Sequence, residues 1–518
     1  MQNNWRPYFT HDTTLVINFG GQYAHLIARR VRELKVYSEI IHYADFSEET
    51  LREIKPKAII LSGSPLSPPD IDPSKLKVVL RGEIPVLGIC YGHQLLAYML
   101  GGTIAKGPGE YGKTLVKIVK RNALFENWDQ EEVVWMSHRD QVKSLPETLE
   151  ILAVSENNVI AAFKVKNKPI YGVQFHPEVS HTPKGLLLLK NFLYTIAKCK
   201  ASWNPQQVIE KLVSEIKAKV GSKEKVLCAV SGGVDSTVTA ALVQRAIGDR
   251  LVAVFVDHGL LREGEVETTL NLLKRLKVNY IFVNAKERFL SRLKGVKDPE
   301  EKRKIIGEEF AKIFKEIVER DSSIKWLAQG TIYPDVIESG KVKHSARIKS
   351  HHNVAGLPKW FNLELIEPLK YFYKDEVRQI AKALDLPDSL IKKHPFPGPG
   401  LAVRIIGEVN EKKLEIVRKA SKIVEEELKK NGIYDKVWQA FAVVGEDKWV
   451  GVKGDKRAEG YIVTIRIVES IDGMTADYAK LPYTILEKIA SRIYNEIDDV
   501  TMVTYAITPK PPSTIEPC

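Results

Sequence analysis

Twice in this chain a short apolar run ends in a glycine-bearing turn and passes straight into a helical pattern. Pro85 to Ile89 leads through Cys90 into Tyr91 to Leu100, which Gly101-Gly102 closes. Lys225 to Val230 leads through Ser231-Gly232-Gly233 into Asp235 to Ala246. A buried strand feeding a helix is the repeating unit of a sheet with helices on its faces, and such sheets place ligands at the carboxyl ends of their strands. The two turns stand roughly one domain length apart. A chain of 518 residues also exceeds a single ordinary core, so two to four domains are expected.

The rest of the chain divides accordingly. Thr14 to Phe19 and Ala58 to Leu61 read as buried strands, stopped by Gly20-Gly21 and Ser62-Gly63-Ser64-Pro65, with a helix over Tyr23 to Leu34. This predicts a mostly parallel sheet over residues 1–200. The polar stretch Lys198 to Pro205 separates it from a second α/β segment, 204–394, in which a helix over Gln206 to Lys219 and a strand over Leu251 to Val256 flank the phosphate-loop candidate. The run His394-Pro395-Phe396-Pro397-Gly398-Pro399-Gly400 cannot belong to a regular element. Beyond it, 395–518 reads as α+β, with a charged helix over Glu411 to Lys430 and a strand over Tyr461 to Val468.

Composition narrows the class. Hydrophobic residues at 44% and charged residues at 27% are ordinary for a soluble globular protein. The formal charge of +12 suits anionic nucleotides as well as nucleic acid, but no run of five basic residues supports the latter. Cys90, Cys199, Cys228 and Cys518 form no C-x-x-C pair, which favours a reducing, cytoplasmic setting. Neither a signal peptide nor a membrane span is expected: Gly185 to Ala197 is too short and carries Lys190.

Cys90 lies in Gly88-Ile89-Cys90-Tyr91-Gly92-His93-Gln94, where a strand-to-helix turn presents the sulfur to the positive end of a helix. Downstream, His176-Pro177-Glu178 supplies a base and a carboxylate to orient it, and alternation along a strand would turn both to one side. With these motifs the first segment resembles the class I glutamine amidotransferases. That resemblance implies a glutamyl thioester on Cys90, with His176 and Glu178 completing the triad. It also implies glutamine contact by Gln94 and an oxyanion hole from the Gly63-Ser64 loop and the Tyr91 amide. The family usually has Gly-Gly-Pro where this chain has Gly63-Ser64-Pro65, and a left-handed backbone at Ser64 would cost about 1–2 kcal/mol. It commonly has Ser-His-Gly-Asp where this chain has Ser137-His138-Arg139-Asp140.

A strict G-x-x-x-x-G-K-[ST] match occurs at Gly107 to Thr114 and is rejected. Leu115 to Val119 alternates like a strand where a helix is needed, and Glu110 would face the phosphates. Ser231-Gly232-Gly233-Val234-Asp235-Ser236-Thr237 has the required strand before it and helix after it. It resembles the loop of the ATP pyrophosphatases, adenine-nucleotide α-hydrolase-like domains that cleave between the α and β phosphates; Asp235 is then expected to help hold Mg²⁺ beside pyrophosphate.

Four more blocks occur in order: Gln329 to Ser339, Ile348 to Asn353, His394 to Arg404, and Lys510-Pro511-Pro512-Ser513-Thr514-Ile515-Glu516. With both catalytic motifs they resemble the glutamine-hydrolysing GMP synthase family over nearly the whole chain. The resemblance implies an α/β multidomain enzyme: an amidotransferase domain, an ATP pyrophosphatase domain and a C-terminal α+β dimerisation domain. XMP, ATP and glutamine are the implied substrates, with Mg²⁺ accompanying ATP, no tightly bound organic cofactor, and a homodimer as the working form. Matching positions put Val256 and Gly330 near adenosine and Lys374 on pyrophosphate. Lys349, His351 and His352 fall in a lid. Arg404, Gln439, Lys510, Ile515 and Glu516 fall on XMP, with Arg404 and Lys510 as phosphate cations. The chain departs from the family in ending Glu516-Pro517-Cys518, in Ala355, and over Val444 to Val450. The runner-up is a second pairing of the same two activities, amidating nicotinate adenine dinucleotide, against which the Lys510 to Glu516 tail argues. A third reading, a basic nucleic-acid-binding protein on a relict enzyme fold, is opposed by the intact Cys90, His176, Glu178 and phosphate loop, so no nucleic-acid or membrane partner is expected.

Overall fold

The computed structural model describes residues 6–338, 363–470, 473 and 475–518. The expected lid residues Lys349, His351 and His352 lie outside them. The described residues fall into two compact units, 6–204 with 334–338, and 205–333 with those from 363 onward.

The first unit is built on a nine-stranded sheet. Its strands are β1 (Thr13–Asn18), β2 (Tyr37–His42), β3 (Ala58–Leu61), β4 (Val86–Ile89), β5 (Thr103–Ile118), β6 (Glu131–Ser144), β7 (Leu149–Ser155), β8 (Ile160–Val165) and β9 (Ile170–Val173), in the order β2-β1-β3-β4-β9-β8-β7-β5-β6. The pairings from β2 to β9 are parallel, as the strand–helix pattern requires. Those from β9 to β6 are antiparallel, so the sheet is half parallel rather than mostly so. The cause is connection length. Residues 156–159 and 166–169 carry no helix, and a parallel return needs a crossover of about a dozen residues or more. The helix Tyr91–Met99 after β4 is buried along Tyr91–Ala97, so it sits inside this unit rather than on its surface.

The rejected phosphate-loop match, Gly107 to Thr114, is strand throughout, with Glu110 opposite His138 on β6. No helix follows it, and the rejection stands.

The second unit holds a five-stranded sheet, all parallel: β10 (Lys225–Ala229), β11 (Leu251–Asp257), β12 (Tyr280–Asn284), β13 (Ile324–Ala328) and β14 (Glu364–Ile366), ordered β12-β11-β10-β13-β14. Its C-terminal part carries a second sheet of β15 (Gln439–Lys453), β16 (Lys456–Glu469), β17 (Asp477–Tyr478) and β18 (Val500–Tyr505). The helix Glu411–Lys430 packs on β15 and starts where the Asn410 side chain accepts the Lys413 amide at 2.9 Å. Apolar residues from both sides of the Pro395 run, among them Leu227, Val254, Phe289, Leu401, Val417 and Ile465, form one continuous core. Among the described residues no helix is long and apolar enough to cross a membrane.

Candidate active sites

Cys90 joins β4 to the helix Tyr91–Met99 at φ 53°, ψ −104°. A side chain held there costs on the order of 1–3 kcal/mol, which the surroundings must impose. They do so through two glycines. A β-carbon on Gly88 would stand 2.4 Å from the Gly92 carbonyl oxygen, and one on Gly92 would stand 2.4 Å from that of Leu61. Strand and helix therefore meet closer than any other residue permits, and Cys90 occupies the turn between them. The Cys90 amide is fixed to the Val173 carbonyl of β9 at 2.8 Å.

His176 and Glu178 follow β9 in a turn and are not on a strand, so alternation is not what aligns them. The turn at Pro177 brings Glu178 Oε1 to 2.7 Å from His176 Nδ1, with both residues buried. The Thr182 hydroxyl holds the His176 carbonyl at 2.7 Å, and Arg30 Nε holds that of Glu178 at 2.9 Å. With Nδ1–H donated to the carboxylate, Nε2 is left for the thiol. Burial works against the charged imidazole, but Glu178 and Cys90 outweigh it and raise the His176 pKa well above 6.5.

Gly63 lies beside this imidazole: its β-carbon would sit 3.7 Å from His176 Cε1. The loop reaches that position because Gly21 has no side chain; a β-carbon there would fall 2.2 Å from the Gly63 carbonyl oxygen. Ser64 is absent from the left-handed region, so the expected strain does not arise. Its hydroxyl instead donates to the Phe19 carbonyl at 2.9 Å and accepts the Leu66 amide at 3.1 Å, pinning the loop from the far side. Tyr91 is the first residue of the helix, where amides lack intrahelical acceptors. Gln94 Nε2 donates to the Asp140 carbonyl at 2.6 Å and to Gln174 Oε1 at 3.1 Å. Gln174, whose Nε2 lies 3.8 Å from Cys90 Sγ, has no signature in the sequence and was not anticipated. Arg139 is exposed.

At the second turn, Gly232 takes φ +75°, and a β-carbon there would strike Thr269 Oγ1 at 2.4 Å. Ser231 and Ser236 exchange a hydroxyl contact at 3.1 Å, and Thr237 Oγ1 donates to the Gly233 carbonyl at 2.8 Å. These bonds hold the loop against the N-terminus of the helix Val234–Ile247, where free amides suit an anion. Gly330 packs on that terminus; its β-carbon would lie 3.0 Å from the Ser236 nitrogen. Val256 is buried in β11.

Lys374 Nζ contacts Asp235 Oδ2 at 2.5 Å, while the buried Oδ1 of Asp235 has no partner among the described residues. An orphaned carboxylate oxygen at a phosphate loop fits Mg²⁺ arriving with a triphosphate. Among the described residues no cluster of three or more His, Cys, Asp or Glu could hold a metal without such a substrate. A further lysine emerges only in the structure: Lys393 Nζ bonds Glu265 and donates to the Gly232 carbonyl at 3.2 Å.

In the C-terminal part, Arg404 donates Nε and Nη2 to the two carboxylate oxygens of Glu516 at 3.0 and 2.9 Å. Gln439 Nε2 reaches Glu516 Oε1 at 2.5 Å. Arg404 lies over Phe441 at 4.1 Å and is 1% exposed, so its charge belongs to Glu516 and is not presented as the expected phosphate cation. Lys510 Nζ donates to the Gly473 carbonyl at 2.8 Å. Lys510 and Ile515 are both half-buried on the same terminal segment.

Comparison with known proteins gives this geometry a family. Residues 15–196 match the class I glutamine amidotransferases, 206–312 the NAD synthases and 426–517 the C-terminal domain of GMP synthases. A glutamine-hydrolysing GMP synthase of Pyrobaculum aerophilum is 59% identical over 98% of this chain and 100% of its own length. The Caldanaerobacter subterraneus protein of the same name is 53% identical over 98% and 99%. Among solved structures, a putative GMP synthase subunit from Thermoplasma acidophilum is 32% identical, covering 36% of this chain and 94% of its own, with a TM-score of 0.34. With two relatives matched end to end at more than half identity, the chain belongs to the family of glutamine-hydrolysing GMP synthases.

Proposed function

We propose that this chain converts XMP to GMP, taking nitrogen from glutamine and energy from ATP: XMP + ATP + Gln + H₂O → GMP + AMP + PPi + Glu. The observation that carries the reading is the coexistence of a Cys90–His176–Glu178 triad on one unit and a Ser231–Thr237 phosphate loop on the other.

Cys90 attacks the glutamine carboxamide, and His176 carries the thiol proton to the leaving ammonia. The Gly63–Ser64 loop and the Tyr91 amide receive the oxyanion, Gln94 orients the substrate, and water then releases glutamate. At the other site the XMP C2 oxygen takes the adenylyl group of ATP with loss of pyrophosphate, and ammonia displaces AMP. Ser231, Gly232, Gly233, Val234, Ser236 and Thr237 cradle the leaving pyrophosphate. Lys374, resting on Asp235, is placed to reach the phosphates, Asp235 would hold Mg²⁺, and Val256 and Gly330 border the adenosine. Mg²⁺ held there would supply positive charge against the pyrophosphate. Arg404 and Gln439 hold the Glu516 carboxylate towards the purine, with Ile515 and Lys510 beside it.

The working form is a homodimer through 395–518, where Trp449, Val450 and Val452 expose apolar surface on the β15–β16 hairpin. The four cysteines are free, which suits the cytoplasm. Incubation with XMP, Mg-ATP and glutamine is expected to yield GMP, AMP and pyrophosphate in equal amounts. Amidation of nicotinate adenine dinucleotide in place of XMP would instead favour the second substrate reading.

A further inference from the structure

The rejected phosphate-loop match leaves a buried carboxylate without a function. Glu110 sits on β5, its side chain 4% exposed, opposite His138. It accepts from His138 Nε2 at 3.1 Å, the Ser155 hydroxyl at 2.7 Å and Asn157 Nδ2 at 2.9 Å. Burial opposes its ionisation, but these donors, His138 foremost, hold its pKa below the ordinary range. The other ring nitrogen of His138 lies 2.9 Å from the Asp140 carbonyl oxygen. Glu110 on one ring nitrogen and the Asp140 carbonyl on the other fix the orientation of the imidazole.

What His138 holds is a junction of the glutaminase site. The same Asp140 carbonyl accepts Gln94 Nε2 at 2.6 Å, and Gln94 follows Cys90 by one helical turn. The Asp140 carboxylate accepts the hydroxyl of Ser67, just beyond the Gly63-Ser64 loop. The Ser137 carbonyl, one residue before His138, stands 3.7 Å from Cys90 Sγ. Three parts of the pocket (the nucleophile's helix, the oxyanion loop and the 137–140 strand segment) thus converge on Asp140, whose carbonyl the buried His138–Glu110 contact fixes.

We infer that Glu110, acting through His138 and the Asp140 carbonyl, is a positioning residue that sets Gln94 for the glutamine substrate. Without the Glu110 carboxylate the imidazole loses the contact that orients it. The Asp140 carbonyl then turns, and Gln94 no longer points its amide where the substrate is met. The effect belongs to glutamine binding and not to the triad, since Glu110 touches none of Cys90, His176 or Glu178.

The inference rests on the glutaminase reading, which the same assay checks separately: the unmodified chain must use glutamine and Cys90→Ala must not. Given that, Glu110→Gln is expected to raise KM for glutamine roughly tenfold or more, as loss of a charge-assisted hydrogen bond implies. Ammonium-driven GMP formation should be unchanged. His138→Asn should match it and guards against a folding defect peculiar to Glu110→Gln. In a Gln94→Ala background, Glu110→Gln should add little, because both act on one contact. An unaltered KM, an equal loss of ammonium-driven activity, or KM effects that multiply in the double variant would each overturn the inference.

Discussion

Cys90 occupies backbone angles that a β-carbon resists, and the two glycines around it are what make those angles unavoidable. Gly92→Ala should therefore do more harm than a mid-helix alanine ordinarily does, because the added carbon meets the Leu61 carbonyl of a buried strand. A loss of about 1–3 kcal/mol is expected, read as a lower thermal midpoint together with lost glutamine use. His176 carries a pH signature. Its pKa in the folded chain is raised above 6.5, so the stabilisation from Glu178 is fully present below 6.5 and fades as pH rises through the raised value. The difference in thermal midpoint between the unmodified chain and Glu178→Gln should shrink as pH is increased; a difference that grows would contradict the pairing. The triad was legible because each member lies in a short motif with its own chemistry. Gln174 was not, since a glutamine two residues before a histidine carries no signal until the fold sets it against Cys90. The strain expected at Ser64 failed to appear because a hydroxyl on the Phe19 carbonyl holds the loop in ordinary backbone geometry.

The phosphate loop is a strand–turn–helix element whose parts were readable in order, and β10, the loop and the helix Val234–Ile247 lie within a residue or two of the expected limits. Its lysines are less visible in sequence. Lys374 and Lys393 reach the loop from residues far along the chain, each resting on a carboxylate, Asp235 and Glu265 respectively. Asp235→Asn is expected to abolish GMP formation with either nitrogen donor, and continued pyrophosphate release would remove its assigned role. Lys393→Met should raise KM for ATP several-fold while leaving glutamine binding alone, as measured by initial rates at varied ATP. In the first unit the parallel half of the sheet follows from strands separated by helical patterns. The antiparallel half was missed because the links between β6 and β9 are too short for crossovers, and periodicity alone does not report which neighbour a strand chooses.

Across the whole chain, the glutaminase and synthetase machinery fall in different compact units, while the synthetase half and the C-terminal tail share one core. That shared core lets the last residues matter. Glu516 neutralises a buried arginine, so Glu516→Gln should destabilise the second unit by about 3 kcal/mol or more and raise KM for XMP. A variant with an unchanged thermal midpoint would show that Arg404 does not depend on it. The central claim is that one chain makes ammonia at Cys90 and spends it at a separate nucleotide site. Its most direct test is GMP formation by Cys90→Ala with XMP and Mg-ATP, supplied with either glutamine or ammonium. The account predicts GMP from ammonium at the unmodified rate and none from glutamine. GMP from glutamine, or loss of both activities in a folded variant, would contradict it.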